Sequence, residues 1–144
     1  MSRLDLLQFL TGISNPELVY NPQVQQLLKK GEIVSLGGME LNYEKMLMLH
    51  PDFVFTSGDW DGGDRLKMKL ESLQIKSVLN LDYMEQDPLA RAEWLKFVAV
   101  FFDREYEADS IFKSIEASYL SLEDRMTKVV HRPTVICNMP FKEI

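Results

Sequence analysis

The chain has 144 residues, a length that buries roughly two-thirds of its unfolded surface around one core. A hydrophobic fraction of 46% beside 26% charged residues excludes a disordered chain, and no apolar run reaches the roughly 20 residues that cross a bilayer as a helix. The formal charge of −6, from 22 acids against 16 scattered bases, argues against a nucleic-acid partner.

In chain order, the first apolar run bounded by turn residues covers 9–13, and similar runs recur at 32–36, 52–56 and 76–80. Each is predicted as a strand. The segments between them read as helices over 22–30, 42–50 and 61–73, the last with Leu66, Leu70 and Leu73 on one face. Strands that alternate with helices over short connections predict an α/β fold, a parallel sheet with helices on both faces in a three-layer lobe. Ligands of such sheets sit beyond the carboxyl ends of the strands, which singles out the loops 14–20, 37–41 and 57–64.

From Pro88 the pattern becomes one long helical tract. Trp94, Leu95, Val98, Phe101 and Phe102 lead into a stripe that runs from Ala108 through Phe112, Ile115, Tyr119, Leu122 and Met126 to Val129 at helical spacing. Asp103 and Arg104 interrupt it and mark a bend or a break between two helices. Pro133 disfavours helix in the residue before it, so the tract is predicted to end near His131, with a new strand over 134–137.

Gly37-Gly38-Met39-Glu40-Leu41 follows a strand and precedes a helix. Glycines there either close a turn or let the backbone approach a ligand. Asn42 suits a helix cap, and Glu44 lies in the first turn, where its charge complements the helix dipole; both read as structural. Tyr20 and Trp60 bring flat faces with polar tips to strand-end loops, for packing or for a large planar ligand. Asp64 opens a helix, where an acid is favourable without any partner.

His50 and His131, far apart in the chain, fall short of a direct transition-metal site. Cys137, the single cysteine, excludes an internal disulfide and reads as an inert thiol in a strand. No nucleophile elbow, phosphate loop or zinc-protease helix motif is present, so catalysis has no positive support.

Three segments in order carry a resemblance: Gly37 to Leu41 with Asn42-Tyr43-Glu44-Lys45, then Leu49-His50-Pro51-Asp52-Phe53-Val54-Phe55, then the helix opening Asp87-Pro88-Leu89-Ala90-Arg91-Ala92-Glu93-Trp94. Together they are similar to the solute-binding proteins of importers for siderophore-iron, haem and cobalamin. In that family one long helix joins two α/β lobes. The resemblance implies a partial N-terminal lobe over 1–86, a connecting helical tract over 87–131 and the first strand of a second lobe over 132–144.

The resemblance further implies capture of a metal chelate, a ferric siderophore ahead of cobalamin or haem, and its delivery to an ABC permease, with no resident cofactor and no enzymatic step. It places Tyr20, Gly37, Gly38, Met39 and Trp60 against the ligand and Asp64 against permease arginines. The location implied is periplasmic or otherwise extracytoplasmic, with a lipid anchor and export signal expected outside this sequence. An importer-independent module that sequesters a chelate or haem is the main alternative. An enzyme on a related nitrogenase-like lobe would need several cysteines for a metal cluster. The family's opening strand and most of its second lobe have no counterpart here, so self-association through unpaired strand edges is expected.

Overall fold

A computed structural model describes residues 1–38, 40–57 and 65–135. The fold is α/β, and every strand pairing in the described residues is parallel. β1 (Gly12–Ile13) pairs with β2 (Val34–Ser35) in the register Gly12↔Val34, and β3 (Val54–Thr56) pairs with β4 (Ser77–Leu79) in the register Val54↔Ser77. Parallel neighbours need a crossover, and helices supply it: α1 (Pro22–Lys30) between β1 and β2, α3 (Arg65–Ser72) between β3 and β4. α2 (Tyr43–Met48) connects the two pairs.

The first four predicted strands are present but shorter than their apolar runs, and among the described residues they form two two-stranded ladders. Hydrogen bonds just outside each strand close the ladders. The Val34 amide donates to the Thr11 carbonyl at 2.9 Å and Leu36 to Ile13 at 2.8 Å; Val54 donates to Lys76 at 2.9 Å and Asn80 to Thr56 at 2.8 Å.

Helix boundaries follow local chemistry. Asn21 Oδ1 accepts from the Gln23 and Val24 amides, Pro22 fills the first helical position, and Gly31 ends α1 at φ 75°. The predicted cap Asn42 accepts from the Lys45 amide at 2.8 Å. α2 and α3 stop where His50 (φ 44°) and Gln74 (φ 58°) turn left-handed.

The helical tract is two helices, α4 (Pro88–Val100) and α5 (Glu105–Thr127). The interruption read at Asp103 and Arg104 is a break: Asp103 adopts φ 52° and the Arg104 amide turns back to the Ala99 carbonyl at 3.1 Å. α5 ends at Thr127, ahead of the predicted limit near His131. Of the strand predicted over 134–137, Thr134 and Val135 carry no strand pairing, and Ile136 and Cys137 lie outside the described residues.

Two apolar clusters hold these elements. Leu36, Met46, Leu70 and Ile75 pack between the ladders and their helices. Leu4 and Leu6 from the chain start pack with Ala99 and Ala108 at the α4–α5 corner. Phe53, at the mouth of β3, stands 5.2 Å from Phe101 and 6.1 Å from Phe102, so aromatic contacts tie the second ladder to that corner.

Between α4 and α5, Lys96 lies 4.0 Å over the Phe112 ring and 3.5 Å from Asp109. The Lys113 ammonium, with Lys96 behind it, holds the Asp109 carboxyl below the ordinary carboxylate range. The group is exposed to solvent, so this adds little stability.

Leu70, 1% exposed, belongs to the cluster that joins α3 to both ladders. Leu70→Ala is expected to cost about 2–5 kcal/mol in chemical denaturation. Leu122→Ala, at a position 55% exposed, should cost far less.

Candidate functional site

Parallel pairing sends the carboxyl ends of β1 and β2 the same way, so the loops that follow them meet. The Asn15 amide donates to the Gly37 carbonyl at 2.7 Å, which carries the pairing past the strand ends. Gly37 then forms an isolated antiparallel bridge with Leu41, and the Asn42 amide returns to the Leu36 carbonyl at 2.8 Å. Gly37 and Leu41 are thereby brought together beside Asn15.

The two glycines have different reasons to be there. Gly37 sits at φ 94°, and a Cβ on it would meet the Glu40 carbonyl oxygen at 2.6 Å. The backbone here needs this glycine with or without a ligand. A Cβ on Gly38 would lie 3.3 Å from Asn15 Oδ1, so its bareness leaves room for the asparagine. Met39 lies outside the described residues.

The loop after β1 holds a short turn, Pro16–Leu18. Gln25 of α1 fastens it: its Nε2 donates to the Pro16 carbonyl at 3.0 Å and the Val19 carbonyl at 2.6 Å. Tyr20, at the end of this braced loop, is 87% exposed. An open cavity of about 500 Å³ lies beside the turn, with Glu17, Gln25, Lys29 and Ser35 among its lining.

At the second ladder, Trp60 and Asp64 fall outside the described residues. The loop after β4 is described and is braced like the first. Arg91 of α4 donates to the carbonyls of Asp82, Tyr83 and Glu85 at 2.9–3.1 Å, and Trp94 Nε1 donates to Glu85 Oε1 at 3.1 Å. On this loop Met84 is 63% exposed.

The structure thus brings Gly37 and Gly38 against Asn15, in the loop that ends at Tyr20. Sequence reasoning passed over Asn15, Gln25 and Arg91. A signal for the last two exists: in Asn21-Pro22-Gln23-Val24-Gln25 and Asp87-Pro88-Leu89-Ala90-Arg91, a long polar side chain stands four residues after a capping residue and three after proline. From there it reaches back to the preceding loop. Among the described residues no three His, Cys, Asp or Glu side chains gather to hold a metal, and no helix is long and apolar enough to cross a membrane.

Residues 6–144 match the family described as "Periplasmic binding protein". The chain is also similar to two proteins of Methanocaldococcus jannaschii named as uncharacterized lipoproteins. MJ0878 is 32% identical over 117 residues, which is 81% of this chain and 28% of that protein. MJ0872 is 30% identical over 120 residues, 81% of this chain and 30% of that protein. The uncharacterized protein MJ0642 of the same organism is 31% identical over 97 residues, 67% of this chain and 28% of its own length. The chain therefore spans under a third of the length of these relatives.

Gly31 and Gly37 are both left-handed, but a Cβ at Gly31 meets nothing within 4 Å. Gly31→Ala should cost about 1 kcal/mol. Gly37→Ala should cost more, about 1–3 kcal/mol, because backbone strain is joined by collision with the Glu40 carbonyl. Paired thermal melts of the two variants check the order.

Proposed function

The chain belongs to the periplasmic binding protein family, and from that membership we propose that it is part of an extracytoplasmic solute-binding protein that captures a metal chelate and delivers it to an ABC permease. A ferric siderophore stands first as ligand, then cobalamin and haem. The observation that carries this reading is the joining of two strand-end loops by the Asn15–Gly37 hydrogen bond, the first of them ending at Tyr20, which lies almost wholly in solvent. A large exposed aromatic on a braced loop suits a broad amphipathic ligand and serves no packing purpose.

In this reading residues 1–86 form much of one lobe, 87–131 the connecting tract and 132–144 the start of a second lobe. Tyr20, Gly37, Gly38, Met39 and Trp60 face the ligand. Capture needs binding surface and a modest closing motion, not a reacting group, so no residue is given a catalytic role. The lipoprotein names of two relatives support a place outside the cytoplasm with a lipid anchor.

Asp64 meets an arginine of the permease. A carboxylate can accept a bidentate guanidinium bond, and one on a lobe surface can dock without disturbing the ligand.

Titration of the full-length protein with ferrioxamine B, cyanocobalamin and haemin, followed by tryptophan fluorescence, should give saturable quenching with one of them. No response to any of the three overturns the reading. Asp64→Arg should then impair uptake in cells while leaving that affinity unchanged. Unaltered uptake would favour a sequestering module that needs no importer.

A further inference from the structure

We infer that the side-chain amide of Asn15 is a polar contact to the captured ligand and one determinant of its specificity, an inference that rests on the binding reading above. Asn15 is held from both sides of its backbone. Its amide donates to the Gly37 carbonyl at 2.7 Å, and its carbonyl accepts from Leu18 at 3.0 Å. These bonds fix it at φ 46°, ψ 53°, a left-handed conformation that asparagine tolerates better than most residues.

The side chain is then the anomaly. The four described asparagines are Asn15, Asn21, Asn42 and Asn80, and the last three each use Oδ1 to accept a backbone amide two or three residues on. Asn15 stands in the corresponding place before the turn Pro16–Leu18, yet makes no such cap. Its side-chain amide has no protein partner among the described residues, although the residue is half-buried. No buried side-chain nitrogen or oxygen among the described residues lacks a partner, so the unpaired atoms of Asn15 must reach solvent.

They do so over Gly38, whose missing side chain leaves the space that Oδ1 overlooks, on the loop that ends at Tyr20. A fixed backbone with an unsatisfied donor and acceptor is a prearranged recognition element, because little freedom remains to be lost when a ligand arrives. A primary amide addresses a ligand that offers both a carbonyl-type oxygen and an N–H or O–H group.

The competing explanation is that Asn15 is present only because the left-handed backbone accepts asparagine. Asn15→Gly separates the two, since glycine meets the backbone requirement and removes the amide. In the full-length protein, titrated with ferrioxamine B, cyanocobalamin and haemin, Asn15→Gly should retain the melting temperature and weaken binding about threefold to tenfold, the worth of one hydrogen bond. Wild-type affinity in a folded Asn15→Gly protein overturns the inference and leaves the binding function standing. Failure of the wild type itself to bind any probe overturns the binding reading, and this inference with it. If Asn15→Gly does not fold, the near-isosteric Asn15→Asp decides: altered affinity supports the contact, and unaltered affinity overturns it.

Discussion

The parallel pairing of β1 with β2, prolonged by the Asn15–Gly37 hydrogen bond, is the constraint on which the candidate site depends. A parallel ladder obliges the chain to cross back before it pairs, and α1 makes that return. Both strands consequently deliver their following loops to one end. Had the pair been antiparallel, a single tight hairpin would have joined the strands, and the 14–20 and 37–41 loops would not have met. The one added bond between loops turns nearness into a fixed arrangement, with Gly37 supplying the positive φ that lets the second loop fold back on itself.

Rigidity at the strand ends comes from a device used twice. Asn21 and Asp87 cap their helices, Pro22 and Pro88 set the first helical position, and Gln25 and Arg91 reach back to the carbonyls of the loop just passed. Loop carbonyls are otherwise left to water. Taking them up with a side chain already positioned by a helix lowers the number of conformations each loop can visit. Loops of this kind can display Tyr20 and Met84 to solvent without surrendering their shape.

The helical tract shows how far one apolar pattern extends beyond the packing that uses it. α4 is 13 residues long and α5 is 23. Ala108 and Phe112 are accordingly buried, whereas Leu122 and Met126 continue the same stripe in solvent at 55% and 49% exposure. The spacing of the stripe tells that a face is apolar. The length of the neighbouring helix decides how much of it is covered.

The sequence by itself determined the α/β alternation, the positions of the four described strands, the span of α1 and the cap at Asn42, because these rest on residues close in the chain. A glycine turn was one of the two readings open at Gly37, and Asp103 with Arg104 marked the interruption of the helical tract. Tertiary structure alone decided that the strands form two ladders, that the chain start packs into the α4–α5 corner, and that Asn15 meets Gly37 and Gly38. Each of these joins residues separated by a crossover or more. No periodicity or short motif encodes such a distance, which is set only when the whole chain finds the packing that buries its apolar faces together.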